Sequence, residues 1–301
     1  MLICGVGEVL WDIFPDKETF GGAALNFCAN LQRLGDTATL VSAVGNDRLG
    51  RLAMDRMRLL GLDTRTIQQV ADLPTGTATI STGPDGEPAF SISRPAAFDA
   101  ISPDSSTVAY LLAADPSWLY FGTLLQTNPR IESFTAELAG KLRPAGTFYD
   151  MNLRPGHWNL PLVQRLSRLA TIVKLNESEA RILHDRTQTG YAPFSLDAFC
   201  RVWASTYDIE VICITLGGEG CLIYAQENVS LFPGYKVTVC DTVGSGDAFA
   251  SAFLHGYSSG WPITHTARFA NALGAIVASR AGATPDWTMD EILAMIPAYP
   301  G

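Results

Sequence analysis

Short apolar runs recur along the chain and alternate with stretches of helical periodicity. The apolar runs, each bounded by turn residues, lie at 2–7, 38–45, 117–122, 146–152, 171–176 and 211–217. The helical patterns lie at 23–35, 47–60, 129–143, 159–170, 177–185 and 195–207. Strands that are apolar on both faces and separated by helices are typical of a parallel sheet covered on both sides. The pattern therefore predicts an α/β fold with a doubly wound, mostly parallel sheet flanked by helices.

Residues 75–93 break this pattern, because small and polar residues alternate there around a Pro-Asp-Gly turn. Such alternation around a tight turn predicts an antiparallel hairpin. Together with residues 9–20 it is expected to form a small β-sheet lid, from about 9–20 and 75–98; an ordinary surface hairpin is the alternative. No linker separates two full domains, so residues 1–301 are predicted to form one domain with the lid inserted in it.

Composition and charge exclude several classes of function. The chain has 301 residues, of which 47% are hydrophobic, and a formal net charge of -9. No Lys/Arg run provides the basic face that a nucleic-acid partner needs. The six cysteines are scattered without a C-x-x-C pair, and most sit among apolar neighbours, which predicts that most are buried, reduced thiols and that there is no zinc site.

The N-terminal stretch MLICGVGEVLW lacks the basic region and cleavage site of a signal peptide. No apolar run approaches the roughly 20 residues that span a bilayer. The sequence therefore predicts a soluble, cytoplasmic protein with no membrane partner.

The stretch DTVGSGDAF, residues 241–249, concentrates glycines between two acids. It follows the alternating, strand-like segment 235–241 and precedes a small-residue helix. Unpaired N–H groups at a helix N-terminus bind anions, and an acid beside them suits a general base that takes a proton during phosphoryl transfer. Asp247 is therefore a candidate catalytic base; a simple helix N-cap is the alternative.

Other phosphate and dinucleotide motifs are missing. The sequence contains neither G-x-x-x-x-G-K-[ST] nor the H-R-D and D-F-G motifs of protein kinases. The G-x-G-x-x-G fingerprint lacks its third glycine both at Gly5/Gly7 and at Gly244/Gly246. A dehydrogenase is therefore a remote alternative.

Several stretches resemble, in order, the signatures of the PfkB/ribokinase family of carbohydrate kinases. DTVGSGD resembles the family's D-T-x-G-A-G-D, and GGAALNFCANLQRLG with AVGNDRLG resembles its N-terminal signature. GEVLWDIFP and FYDMNLRPGHW resemble the bacterial fructokinase branch. VKLNESEA and ITLGGEGC resemble the N-x-x-E motif and the nucleotide-loop strand. The matches run from residue 5 to about 284, so the resemblance covers nearly the whole chain and implies a ribokinase-like fold.

The resemblance implies roles for the glycine-rich turn. Asp247 matches the catalytic base that deprotonates the sugar hydroxyl. The backbone of Gly244, Ser245 and Gly246 matches the anion hole over the transferred phosphoryl group. Ser245 stands where the family usually has Ala, a small change that leaves the backbone N–H groups in place.

Sugar-binding positions are implied near the N-terminus. Asp12, Gly22 and Asn26 match residues that hold sugar hydroxyls in the family, with lid-turn and N-cap roles as the alternative. Where the family commonly has G-G-A-P-A-N, this chain has Ala24 and Leu25, so the detailed shape of the sugar pocket is not carried over.

Two arginines and two tryptophans lie in the matching stretches. Arg94 and Arg154 match arginines near the substrate end of the cleft in the fructokinase branch; surface ion pairing is the alternative for either. Trp11 and Trp158 are candidates for lining the pocket, but core packing is expected to be their role.

The nucleotide and cation sites are also implied by the resemblance. Asn176 and Glu179, three residues apart and predicted to share a helix face, match the pair that organises Mg²⁺ near the nucleotide phosphates; an exposed polar face is the alternative. Asp241, with residues 279–283, matches a monovalent-cation site that is usually filled by K⁺. Residues that match nucleotide-binding positions are Thr215, Gly217, Gly220 and, near the adenine, Asn271.

The resemblance implies an ATP-dependent sugar kinase that uses Mg²⁺ and K⁺ and phosphorylates a primary hydroxyl. Fructose is the expected substrate, with 2-keto-3-deoxygluconate next and ribose or a nucleoside third. The expected partners are the sugar and ATP, with a homodimer through the lid as a further possibility. A catalytically silent sugar-binding regulator is the alternative from another class, against which the retained Asp247 and glycine turn argue.

Overall fold

The computed structural model of the protein describes residues 1–82, 88–102, 105–142, 144–187 and 193–296. In chain order its strands are β1 (Leu2–Val6), β2 (Leu10–Ile13), β3 (Glu18–Gly21), β4 (Thr37–Gly45), β5 (Ile67–Val70), β6 (Gly76–Thr82), β7 (Pro88–Ile92), β8 (Trp118–Gly122), β9 (Gly146–Asp150), β10 (Ile172–Asn176), β11 (Val211–Thr215), β12 (Gly220–Ala225) and β13 (Asn228–Pro233). Its helices are α1 (Ala23–Arg33), α2 (Arg48–Leu59), α3 (Ser105–Ala114), α4 (Thr123–Gln126), α5 (Pro129–Leu142), α6 (Leu160–Ser167), α7 (Glu177–Thr187), α8 (Leu196–Tyr207), α9 (Ser245–Ser258), α10 (Ile263–Ala278) and α11 (Met289–Met295).

The main sheet has the strand order β13-β12-β11-β10-β9-β8-β1-β4-β5. Its strands pair in parallel from β11 to β5, whereas β12 and β13 pair antiparallel at one edge. Successive residues of the buried strands belong to two separate cores, as Ile172 and Val173 do in β10. One core lies under α1, α9 and α10, and the other under α5 to α8. The predicted doubly wound, mostly parallel sheet is confirmed.

A separate sheet of order β3-β2-β6-β7 accounts for the two hairpin-like stretches. β2 pairs antiparallel with β3 and parallel with β6, and β6 pairs antiparallel with β7. The Pro-Asp-Gly turn predicted between β6 and β7 lies outside the described residues. The small sheet is tied to α2 because the Asp47 carboxylate, the N-cap of that helix, accepts hydrogen bonds from the N–H and hydroxyl of Thr75.

The prediction of a strand at 235–241 is wrong, because these residues do not form one in the structure. Instead, the N–H groups of Cys240 and Asp241 both donate to the Ala278 carbonyl oxygen, at 2.9 and 3.2 Å. The alternating apolar residues of this segment, Val237 and Val239, line a pocket. The sequence reading also missed the β12–β13 hairpin and the long helix α10.

Most of the cysteines are buried, as predicted. Cys240 is exposed and the other five cysteines are buried, all of them free thiols. Within the described ranges, none of the helices combines the length and apolar character that crossing a membrane would require.

A very close approach of β1 to α1 fixes the position of the α1 N-terminus. A Cβ atom at Gly7 would lie 2.1 Å from the Cβ of Ala24. This contact lets the side chain of Glu8 accept a hydrogen bond from the Ala23 N–H at 3.0 Å. Only glycine therefore fits at position 7, because any larger side chain would collide with α1.

Gly7→Ala is predicted to lower the free energy of unfolding by about 1–3 kcal/mol, because the added methyl overpacks the β1–α1 contact. The matched control is Gly140→Ala in α5, where a Cβ meets nothing within 4 Å. That change should stabilise the protein by about 0.5–1 kcal/mol, since alanine favours helix over glycine. Denaturant unfolding of the two variants measures both effects. Equal shifts in the same direction would contradict the assigned contact.

Candidate active site

A cavity of about 300 Å³ lies between the small sheet and the carboxyl ends of the main-sheet strands. Ligands of open α/β sheets bind at this edge because the strand ends and the helix N-termini meet there. We call it the main cavity. Its walls include Glu8, Leu10, Asp12, Gly22, Asn26, Ala78, Tyr120, Asn152, Arg154, Lys174, Asn176, Thr215, Gly244, Gly246 and Asp247.

The N-terminus of α9 forms one wall of the main cavity. Its N-cap, Gly244, has a φ of 79°, and a Cβ there would lie 2.2 Å from the Ala283 carbonyl oxygen, so only glycine fits. The Ser245 N–H donates to the Thr242 carbonyl oxygen at 3.2 Å. Of the three predicted anion-hole N–H groups, Ser245 is therefore already engaged, whereas those of Gly244 and Gly246 have no acceptor within the described part of the chain.

Asp247 lies in the first turn of α9 and faces the main cavity. Its Oδ2 accepts a hydrogen bond from Asn26 Nδ2 at 2.8 Å. Burial, reinforced by the charge of Asp150, raises the pKa of Asp247 to about 6, although Lys174 and Asn26 oppose the shift. A carboxylate with this pKa is ionised near neutral pH and basic enough to accept a proton.

Asp12 and Asn26 both lie close to Gly21, just before the start of α1. A Cβ at Gly21 would lie 3.4 Å from Asp12 Oδ2 and 3.9 Å from Asn26 Oδ1. Gly22 has a φ of 122° and approaches the Glu8 carbonyl oxygen closely. Burial raises the pKa of Asp12 to about 6. The buried Asn26 Oδ1 has no hydrogen-bond partner among the described residues, so it is available to a ligand hydroxyl.

A buried ion pair at the cavity floor was missed by the sequence analysis. Lys174 in β10 donates to both carboxylate oxygens of Asp150 in β9, at 3.1 and 3.2 Å. Both side chains are buried, and Lys174 lines the main cavity. The signal was a lysine in the middle of the apolar run TIVKLN, where a buried strand otherwise excludes charge.

The two candidate arginines are placed differently. Arg154 lines the main cavity, and its guanidinium makes no hydrogen bond or ion pair within the described ranges. Arg94 does not line the cavity: its guanidinium is bound by the Asp99 carboxylate and by the Thr127 hydroxyl. Arg94 is therefore not placed at the substrate end, because a nearer acid satisfies its charge.

Neither candidate tryptophan lines the main cavity. The ring of Trp11 packs against Phe20 with centroids 5.0 Å apart, and its Nε1 donates to the Leu49 carbonyl oxygen. The ring of Trp158 is covered by the guanidinium of Arg186 at 5.5 Å. Packing accounts for both side chains.

A second pocket, of about 180 Å³, adjoins the main cavity and shares Thr215, Thr242 and Gly246 with it. The other lining residues are mostly small or apolar and include Gly217, Gly220, Tyr235, Val237, Val239, Phe249, Asn271 and Ala275. The two spaces therefore meet at the N-terminus of α9.

Asn271 lines this second pocket, but its amide is engaged by the protein itself. Its Nδ2 donates to the carbonyl oxygens of Phe232 and Pro233, at 3.1 and 3.2 Å. The side chain thereby fixes the end of β13. Gly220, with a φ of 107°, lies against the same strand, since a Cβ there would be 2.1 Å from the Phe232 carbonyl oxygen.

Asn176 and Glu179 do not share a helix face as predicted, because Asn176 is the last residue of β10. Asn176 Oδ1 accepts from the Glu179 N–H, and Glu179 Oε2 accepts from the Asn176 N–H, both at 2.8 Å. This reciprocal pairing caps α7. Glu179 Oε1 also accepts from the Leu153 N–H at 2.6 Å, so the carboxylate is buried and oriented by backbone groups.

Asp241 connects two loops behind the glycine turn. Its carboxylate oxygens accept from the N–H groups of Val243 and Gly282, at 3.0 and 3.2 Å. Among the described residues, no three His, Cys, Asp or Glu side chains converge as metal ligands. Glu179 and Asp241 each offer a single carboxylate, which fits cations held mainly by phosphate oxygens, backbone carbonyls and water.

Comparison with known proteins agrees with this architecture. Fructokinase-1 of Oryza sativa is 29% identical to this chain, with 94% of each chain covered. Aminoimidazole riboside kinase of Salmonella typhimurium is 28% identical, covering 92% of this chain and 89% of the relative. The crystal structure of a fructokinase with bound ATP from Xylella fastidiosa superposes with a TM-score of 0.84 at 24% identity, covering 98% and 97%.

The family model described as pfkB family carbohydrate kinase matches residues 13–289. That span includes β3, β6 and β7 of the small sheet, the glycine turn of α9 and the capped β10–α7 junction. The resemblance found in the sequence motifs is confirmed, and this chain belongs to the pfkB family of carbohydrate kinases.

Proposed function

We propose that the protein transfers the γ-phosphoryl group of ATP to a primary hydroxyl of a sugar, with fructose as the first candidate substrate. The observation that carries the proposal is the position of Asp247, which faces the main cavity where it meets the second pocket at the start of α9. The fructokinase names of several relatives support the choice of sugar.

In the proposed reaction, the sugar hydroxyl oxygen forms a bond to the γ-phosphorus while the bond from that phosphorus to the ADP oxygen breaks. Asp247 accepts the hydroxyl proton, and Asn26 holds the carboxylate in place through its 2.8 Å hydrogen bond. The Gly246 N–H and the positive end of the α9 dipole face the equatorial phosphoryl oxygens. These groups stabilise the negative charge on those oxygens while the bond to ADP breaks.

Sugar binding is assigned to the wall formed by β2 and α1. The Asp12 carboxylate accepts hydrogen bonds from hydroxyls, and Asn26 Oδ1, which has no partner in the described ranges, accepts another. Gly22 lets the chain pass close to the Glu8 carbonyl oxygen and so places the α1 N-terminus beside this wall. The small sheet covers the sugar, and its closure limits the access of water that would hydrolyse ATP.

Nucleotide binding is assigned to the second pocket, with the base between Val237, Val239 and Ala275 and the phosphates towards Thr215 and Gly246. Gly217 and Gly220 shape the loop beside it. Glu179 would orient a Mg²⁺ ion through water, and Asp241 would help hold K⁺. These cations supply positive charge to the phosphates and to the loop after Ala278.

Asp247→Asn is predicted to lower kcat by about 10²–10⁴, the usual contribution of a positioned base, while ATP affinity is largely kept. Steady-state kinetics with calorimetric ATP binding measures both. Asp55→Asn is the control, because the exposed Asp55 contacts only its surface neighbour Arg58 among the described residues. Near-normal turnover of Asp247→Asn would remove this residue from the base role.

The pH profile of kcat/KM is expected to rise through about pH 6 and then level off. Below its raised pKa of about 6, Asp247 is protonated and cannot accept the sugar proton. Asp12, whose pKa is also about 6, titrates in the same range, so the acid limb should be steeper than for one group. Asp12→Asn should reduce the limb to a single ionisation. A profile that is flat down to pH 5 would contradict the assignment of Asp247.

A substrate panel tests the choice of sugar. Wild-type enzyme should phosphorylate fructose faster than ribose, glucose or adenosine, with a rate that depends on K⁺. The second candidate, 2-keto-3-deoxygluconate, is favoured by one observation. The Arg154 guanidinium lines the cavity without an ion pair to any residue that the structure describes, and it can bind a carboxylate.

Arg154→Met separates the two candidates. It should change fructose turnover little but strongly raise KM for the keto acid. The keto acid would replace fructose as the proposed substrate if wild type turned it over faster than fructose and Arg154→Met lost activity with the keto acid alone. No turnover with any of the five compounds would favour a silent sugar-binding protein.

A further inference from the structure

Lys174 and Asp150 form a cross-strand pair under the glycine turn of α9. They are register partners in β10 and β9, and the Lys174 Nζ lies 3.1 and 3.2 Å from the two Asp150 carboxylate oxygens. Asp150 is 0% exposed and Lys174 is 7% exposed. The pair is therefore a buried salt bridge at the cavity floor.

The pair points to the same side of the sheet as α9. Ile172 and Phe148, two residues before each partner on the same strand faces, belong to the core under α1 and α9. A Cβ atom at Gly246 would lie 3.2 Å from the Lys174 Nζ. The ammonium group is thus placed directly beneath the first turn of α9, where the Gly246 N–H has no acceptor among the described residues.

A purely structural role explains this pair poorly. Removing two charges from water costs free energy, and replacing a buried ion pair by apolar residues of similar size is often neutral or stabilising. The ammonium group has three donors, and its hydrogen-bond acceptors in the described part of the chain are the two Asp150 oxygens, so at least one donor remains for a ligand.

The charge of Lys174 is secured by its surroundings. Burial lowers the pKa of Lys174, but the nearby carboxylates of Asp150, Asp247 and Glu179 outweigh it and raise the pKa. Of the side chains that line the main cavity, Lys174 and Arg154 are the cationic ones, and Lys174 is the one fixed at the start of α9. The raised pKa favours the charged form of Lys174, close to where the two spaces meet.

We propose that the Lys174 ammonium group binds a γ-phosphoryl oxygen of the phosphate donor and that Asp150 is the positioning residue that holds it there. The inference rests on the proposed phosphoryl transfer. Lys174 keeps its protons throughout: the new bond joins the sugar oxygen to phosphorus, the broken bond frees ADP, and the sugar proton goes to Asp247. The ammonium charge offsets the negative charge spread over the equatorial oxygens.

Lys174→Met and the double variant Lys174→Met/Asp150→Asn test this role. Both should lose about 10²–10³ in kcat, as expected for removal of one transition-state charge contact. The double variant removes both partners of the pair, so neither is left as a buried charge without its partner, and its melting temperature should be at or above that of wild type. Lys141→Met, which removes an exposed lysine paired with Glu137, is the control and should leave activity unchanged.

The relative affinities for ATP and ADP distinguish phosphate binding by Lys174 from a purely structural role, which would not change their ratio. The affinity of both Lys174 variants for a non-hydrolysable ATP analogue should fall at least tenfold more than their affinity for ADP, because ADP lacks the γ-phosphoryl group. Fructose affinity should be unchanged.

Three outcomes would overturn the inference: a folded double variant with near wild-type kcat, an equal loss of affinity for ADP and the ATP analogue, or a double variant that cannot fold. Failure of the proposed function is distinguishable. If wild type phosphorylates no sugar, the binding comparison still decides whether Lys174 contacts the terminal phosphoryl group.

Discussion

The hydrogen bond from Asn26 Nδ2 to Asp247 Oδ2 joins the two helices whose N-termini form the site. The residues are 221 positions apart in the sequence, so the bond requires α1 and α9 to lie side by side on one face of the sheet. That arrangement depends on glycines that permit very close packing, Gly7 against Ala24 and Gly244 against Ala283. Once α1 and α9 are fixed, the candidate sugar wall and the candidate anion site face each other.

The second constraint is charge balance in a space that excludes much of the water. Glu8, Asp12 and Asp247 line the main cavity, and Asp150 lies just beneath it. Crowded, partly desolvated carboxylates favour their neutral forms. Burial is accordingly the main cause of the raised pKa of both Asp12 and Asp247. The positive charges of Lys174 and Arg154 counteract this tendency at Asp247, and that of Arg154 counteracts it at Asp12.

The backbone does much of the positioning in this site. The Glu179 carboxylate is held by the N–H groups of Leu153 and Asn176, and Asp241 by those of Val243 and Gly282. The Asn271 amide likewise donates its hydrogen bonds to carbonyl oxygens at the end of β13. Polar residues that a motif assigns to ligands thus also organise the loops around the ligand space, and an acid fixed by main-chain donors retains lone pairs for water or a cation.

The sequence by itself determined the α/β class, most of the main-sheet strands and the two stretches that form the small sheet, because burial periodicity and turn residues are local properties. It also determined that Asp247 begins a helix after a glycine turn. Only the tertiary structure decided that Arg94 is taken up by Asp99, that 235–241 lines a pocket without forming a strand, and that Lys174 meets Asp150 under Gly246. The physical reason is that periodicity reports how deeply a residue is buried, whereas the partner of a charge depends on which distant strands and helices come together.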